Sequence, residues 1–188
     1  KVMIALIPAL RHRIYRPTWP VIFASDAEGA NHMDHGGFGV VGTAVPLSLA
    51  QETISKSRRP GFTVAKMDGS LSCLKQPEKE LRGCVPVTQV PRAVLAADRI
   101  WVELASGRWT HNDHITLGEG RGTLVLLERL AALASTQGHI FAALCDNMPW
   151  CGATNKGRSP AFRVNRLLRR RSALMIAKDF IITHPWTD

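Results

Sequence analysis

Two kinds of apolar spacing alternate along this chain and divide it into elements. Val21-Ile22-Phe23-Ala24 is a continuous apolar run of strand length, followed by a turn segment rich in Gly and Asn from Gly29 to Gly37. Phe38 to Val45 supplies a second β-prone run, so the two read as an antiparallel pair with a connection longer than a tight hairpin turn. Ala97 to Leu104 and Gly107 to Trp109 suggest a third strand region. Beyond His114 the spacing changes: Leu124, Leu127, Leu130, Ala131 and Ala134 recur at helical intervals, with Gly138 just past the end. His139 to Cys145 is apolar on both faces, as a central strand is. A short helical piece follows Asp146-Asn147, and the loop Asn155-Lys156-Gly157-Arg158 leads to a second long helix. Ser159 is its expected N-cap and Pro160 its expected first residue. Phe180 to Thr183 is the last predicted strand.

Strands first, then strands alternating with helices, describe an α/β domain whose later, parallel strands are joined by right-handed crossovers. It is expected to occupy residues 20–188. Residues 1–19 carry a short apolar stretch, Arg11-His12-Arg13 and Pro17, with Pro20 directly after them. They read as an N-terminal extension or a linker from a preceding domain. Without an initiator methionine, the chain reads as an excerpt from a longer protein. From about 46 to 95 the periodicity fades and positive charge scatters, so this stretch reads as an irregular insertion, with short strands expected around Phe62 to Met67 and Val85 to Val90.

Composition narrows the partners. A 45% hydrophobic content supports a core, while a formal net charge of +9 and a pI near 10.0 favour a polyanion such as nucleic acid. No apolar stretch approaches the roughly 18 residues of a membrane span, and the run before Pro8 is too short for a signal peptide. On the second helix, Val164, Leu167, Leu168, Leu174 and Met175 fall on one side and Arg166, Arg169 and Arg170 on another, with Arg163 and Arg171 at the margins. Such a stripe fits a solvated face or a phosphate-binding surface equally well. Cys73, Cys84, Cys145 and Cys151 lack zinc-ligand spacing, which points to free thiols in the cytosol or nucleus.

Three acids carry the candidate chemistry: Asp26 after the first apolar run, Glu119 opening the first long helix, and Asp146 closing the apolar strand. Each has a structural explanation alone, as a turn-former, a first-turn acid favoured by the helix dipole, and a helix cap respectively. Together they suggest more. Asp26 and Asp146 end strands that reach a common sheet edge if parallel, and Glu119 can enter the gap between them. Several carboxylates at the end of buried strands are costly unless a cation compensates them, and hard oxygen donors suit magnesium or manganese. Two such ions can activate a water and stabilise the leaving oxygen of a phosphodiester.

Ser25-Asp26-Ala27, the glycine-rich Gly36-Gly37-Phe38-Gly39-Val40, His114-Ile115-Thr116-Leu117-Gly118-Glu119 and Leu144-Cys145-Asp146-Asn147 resemble, in order, the motifs of the ribonuclease H domain of retroelement reverse transcriptases. Lys156-Gly157-Arg158-Ser159 and the Arg-rich helix are similar to variants in tyrosine-recombinase-type and related eukaryotic retrotransposons. The likeness covers about residues 20–188, apart from the central insertion. It implies a ribonuclease H-like mixed sheet, with the first three strands antiparallel and the later ones parallel, and flanking helices. It also implies a polymerase domain in the same polyprotein and hydrolysis of the RNA strand of an RNA-DNA hybrid by two Mg2+ or Mn2+ ions on Asp26, Glu119 and Asp146. Asn147, Arg158, Arg163, Arg166, Arg169 and Arg170 are then the nucleic-acid contacts.

The family's fourth acid follows the last strand by a loop and begins a final helix. Here only Pro185-Trp186-Thr187-Asp188 remain. Asp188 is the candidate within the chain, although the resemblance places the true fourth acid and closing helix in sequence beyond it. His184 is expected to be structural, and the glycines flanking Glu119 are expected to let backbone or substrate approach it. Two other classes compete: an inactive nucleic-acid-binding relic of such a domain, and another nuclease of the same superfamily, such as an integrase or resolvase core.

Overall fold

The computed structural model describes residues 16–29, 36–57, 90–110 and 113–187. The loop residues Asn31, His32, Asp34 and His35, the strand expected around 62–67, all but Val90 of the one expected around 85–90, residues 2–10, Cys73, Cys84 and Asp188 lie outside the described residues.

Five strands form one sheet: β1 (Thr18–Ala27), β2 (Gly37–Ala44), β3 (Val102–Arg108), β4 (Ile140–Leu144) and β5 (Ile181–Thr183). Their order is β3-β2-β1-β4-β5. β2 pairs antiparallel with both β1 and β3, while β4 lies parallel to β1 and β5 parallel to β4. This is the mixed α/β sheet expected from the order of elements. β1 begins at Thr18, two residues before the expected domain start, and carries Pro20 in a central strand. Proline cannot donate to a ladder, and Pro20 falls where the β1–β4 register shifts, between Thr18 and Ile22.

Among the described residues, four α-helices flank the sheet: α1 (Leu47–Ser57), α2 (Ile115–Ala131), α3 (Met148–Lys156) and α4 (Phe162–Ala177). Alternation along β1 sends Phe23 and Ile22 to opposite faces. Phe23 joins Val40, Phe141 and Ala143 beneath Leu124, Leu127 and Leu130 of α2. Ile22 and Leu144 meet Ala50 of α1, together with Val90 and Val94. The start of the stretch read as an irregular insertion is therefore an ordered helix. Its apolar residues, Ala50 and Ile54, are four apart and buried, a periodicity too short to stand out among the surrounding charges.

Two boundaries and one side-chain placement differ from the sequence expectation. α2 stops at Ala131 rather than running through Ala134, because the Thr136 hydroxyl donates to the carbonyls of Leu130 (2.8 Å) and Leu133 (2.7 Å) and holds a 3-10 turn. α4 starts at Phe162, not Pro160. The Asn165 carboxamide folds back to accept from the Ser159 N–H (2.8 Å), so Ser159 and Pro160 form the turn that enters the helix. Arg171, placed at the margin of a basic stripe, is instead buried in line with Val164 and Leu168 and donates to the Ile182 carbonyl of β5 (2.7 Å). Burial pushes its pKa down to about 10. His184 lies in the same interior, and burial, with the Arg171 charge, pushes it down to about 3, so it stays neutral.

The glycines around Glu119 admit protein, chiefly side chains and strand. A Cβ on Gly118 would stand 3.2 Å from the Ala27 Cβ, and one on Gly120 would stand 2.7 Å from Leu167 Cδ1 and 2.9 Å from the Trp150 ring. Trp150 has no room to yield: it is fully buried and donates from Nε1 to Thr123 Oγ1 at 3.0 Å. Gly120→Ala should therefore destabilise the fold by about 1–3 kcal/mol. Gly152→Ala, with open space around the new methyl inside α3, should stabilise it by about 0.5–1 kcal/mol. Urea unfolding midpoints of the two variants check both signs.

Candidate metal centre and the basic groove beside it

Strand β1 carries Asp26 to its exposed C-terminal end, opposite Gly39 of β2. The parallel neighbour β4 ends at Leu144, and Asp146 follows two residues later, also exposed. Asp146 is not the cap of α3. That role belongs to Asn147, whose Oδ1 accepts from the Trp150 N–H at 2.9 Å. Nor is Glu119 a first-turn acid. His114 caps α2, its Nδ1 accepting from the Thr116 N–H, which puts Glu119 in the second turn, on the face pressed against β1.

Glu119 is 2% exposed. Its Oε1 accepts from the Ala27 N–H at 3.2 Å, while Oε2 is buried with no hydrogen-bond partner among the described residues. Burial, then the charges of Asp146 and Asp26, push its pKa up to about 7, with the Ala27 N–H opposing them. All three acids are therefore electrostatically coupled at one edge of the sheet. Donor atoms of Glu119, Asp146 and Cys145 lie within 4.8 Å of one another. The Cys145 thiol is held well above the ordinary thiol range by its hydrogen bond with Cys151 and by burial.

Asp26 acts on Glu119 through its charge and lies outside that 4.8 Å group, so the orphaned carboxylate oxygen, under the negative charges of Asp146 and Asp26, lacks a positive charge, not another hydrogen bond. A divalent cation fits that donor set, and carboxylate oxygens are what magnesium and manganese prefer.

After β5, the chain returns to this corner. Cys145 pairs with Trp186 in a parallel bridge, the Thr187 N–H donates to the Cys145 carbonyl at 3.1 Å, and Trp186 Nε1 reaches the Asp146 carbonyl at 3.3 Å.

A groove of about 670 Å³ between α2 and α4 is lined by Asp113, Leu117, Arg121, Arg163, Arg166, Leu167 and Arg170. Three of the predicted arginines thus converge, joined by Arg121, which was not singled out in the sequence. Arg169 and Arg158 are exposed but outside the lining. Asp113 pairs with Arg121 and with Arg163 (3.1 Å), and Glu128 with Arg170 (2.5 Å). Arg121 also lies 6.0 Å from the Trp109 ring, which stacks on Phe38 with centroids 4.6 Å apart. The signal that points to Arg121 is positional: it follows Glu119 by two residues on the same helix.

No protein-family model matches the chain, and no curated protein matches its sequence. Among solved structures, it is similar to the N-terminal RNase H domain of Rv2228c from Mycobacterium tuberculosis, solved as a fusion with maltose-binding protein. The identity is 15%, with 89% of this chain and 86% of that chain covered, at a TM-score of 0.44. It is also similar to LC11-RNase H1 in complex with RNA/DNA hybrid, at 9% identity over 87% of this chain and 83% of that one, TM-score 0.38. A third similarity is to the protease-reverse transcriptase of prototype foamy virus, at 11% identity and TM-score 0.40. It covers 92% of this chain and 18% of the viral one.

Proposed function

We propose that the protein is a divalent-metal-dependent nuclease of ribonuclease H type that hydrolyses the RNA strand of an RNA-DNA hybrid, as part of a retroelement reverse transcriptase. The observation that carries this reading is Glu119: a fully buried carboxylate with an orphaned oxygen, coupled to Asp146 and Asp26 from two parallel strand ends. When bound, two Mg2+ or Mn2+ ions supply an activated water and stabilise the leaving oxygen of a phosphodiester. Asp26, Glu119 and Asp146 hold that charge in place. The Ala27 N–H fixes one Glu119 oxygen and leaves the other free to bind. The test is cleavage of a labelled RNA-DNA hybrid in magnesium by the unaltered protein and by Asp146→Asn.

The groove supplies a backbone contact. Arg163, Arg166 and Arg170 lie three and four residues apart on one face of α4, a spacing that follows a phosphate backbone, and Arg121 faces them from α2. Each phosphate contact removed should lower the slope of log affinity against log salt by roughly 0.7–0.9. Replacing Arg166 and Arg170 with Gln should therefore reduce that slope by between one and two, with the same loss on hybrids of unrelated sequence. Fluorescence anisotropy titrations at several salt concentrations measure it. A slope left unchanged places the nucleic acid elsewhere.

A further inference from the structure

Ribonuclease H-type chemistry as proposed above needs oxygen donors only, yet the group of candidate ligand atoms found among the described residues is Glu119, Asp146 and a thiol, Cys145. The thiol is there because β4 delivers its last residues to the same turn that presents Asp146. The Cys145 backbone is tied on one side to Pro185 and Thr187, and its Sγ lies 3.8 Å from the Asn147 carbonyl. Cys145 and Glu119 are each 2% exposed, Glu119 Oε2 is unpartnered among the described residues, and a ligand atom of each lies within 4.8 Å of the other. Donors bonded to one zinc-like ion at about 2.0–2.3 Å stand within about 4 Å of each other. With tetrahedral ligands about 3.5 Å apart, the 4.8 Å spread here needs roughly 1–1.5 Å of closure.

We propose that Cys145 makes this centre a mixed sulfur and oxygen site, at which a thiophilic divalent cation of the zinc or cadmium class binds Glu119, Cys145 and Asp146 in competition with magnesium. The proposal rests on the reading of Glu119 and Asp146 as metal ligands. Softness decides the competition: thiolate favours zinc-class ions, whereas magnesium gains nothing from sulfur. On coordination the thiol proton passes to the buffer, and no electron is transferred. The consequence is a nuclease that zinc-class ions inhibit by occupying its centre. Cys151, whose Sγ donates to the Cys145 carbonyl at 3.7 Å, is outside the ligand group.

Cadmium titration, followed by the ultraviolet charge-transfer absorbance of a cadmium–sulfur bond, tests this in protein carrying Cys73→Ser and Cys84→Ser. The expected result is a band saturating at one equivalent. It should persist in Cys151→Ser, vanish in Cys145→Ser, and need at least ~10-fold more cadmium in Asp146→Asn. Absence of the band, its survival in Cys145→Ser, or indifference to Asp146→Asn overturns the proposal. Should Cys145→Ser fail to fold, cadmium NMR of the unaltered site decides: a one-sulfur shift supports the mixed site and an all-oxygen shift overturns it. Hybrid cleavage in magnesium is read separately. Cleavage without a sulfur band removes the thiol site and keeps the nuclease, while a band dependent on Cys145 and Asp146 without cleavage does the reverse.

Discussion

Asp146→Asn is expected to lower hybrid cleavage in magnesium by about 100-fold or more, the size of loss seen when a group that stabilises developing charge is removed, while leaving the protein folded. Both halves of that expectation come from the geometry. The Asp146 side chain is exposed, and no described hydrogen bond or ion pair uses its carboxylate; its backbone carbonyl, which accepts from Trp186, survives the substitution. Asn147 caps α3, so α3 keeps its start. A change of one carboxylate oxygen to an amide at such a position should move stability by less than about 0.5 kcal/mol. Unfolding midpoints check the fold, and cleavage of a labelled hybrid checks the chemistry. Equal cleavage by both proteins would remove the metal-site assignment. Hybrid binding that weakens with salt, without cleavage by either protein, would identify an inactive relic instead.

The sheet edge that carries the candidate site is legible in the sequence. Asp26 and Asp146 announce themselves because an apolar run ending in an acid is a local pattern, and parallel pairing of β1 with β4 turns two local patterns into one edge. Glu119 was legible as a residue but not as an environment. Near the start of a helix a glutamate is unremarkable, and its burial depends on Gly118 and Gly120 allowing β1 and Trp150 to close around it. Arg171 shows the same limit with the opposite outcome. Its helical phase is marginal, and only the carbonyl of Ile182, eleven residues away on β5, makes the interior tolerable for its charge. Cys145 reads as a free thiol for a third reason: zinc-ligand spacing is a pattern of paired ligands close in sequence, whereas its companions are Glu119 on α2 and the residue beside it. α1 was missed because its buried face is only a few residues long.

Replacing Glu119 tests whether the buried carboxylate is tolerated for the sake of a cation. Its folded pKa is raised, from an ordinary value of 4.5 to about 7. Between those values the folded state holds more protons than the unfolded state, so this group makes stability fall as pH rises through that window. Below it both states are protonated and the group contributes nothing. Above it both are ionised and the whole penalty stands, on the order of 3 kcal/mol. Glu119→Gln keeps the shape and removes the titration. It should match the unaltered protein near about pH 4.5 and exceed it by about 2–3 kcal/mol near about pH 8.5, with the difference developing between the two pKa values. Urea unfolding across that range measures the difference curve, in which titrating groups remote from Glu119 cancel. Magnesium then reverses the order. At about 100 times its dissociation constant a ligand stabilises the state it binds by roughly 2.7 kcal/mol, and only the carboxylate offers magnesium a full charge at this position. At high pH, saturating magnesium should therefore restore the unaltered protein to at least the stability of the variant. A buried acid with no cation to bind would instead stay the less stable of the two at every magnesium concentration.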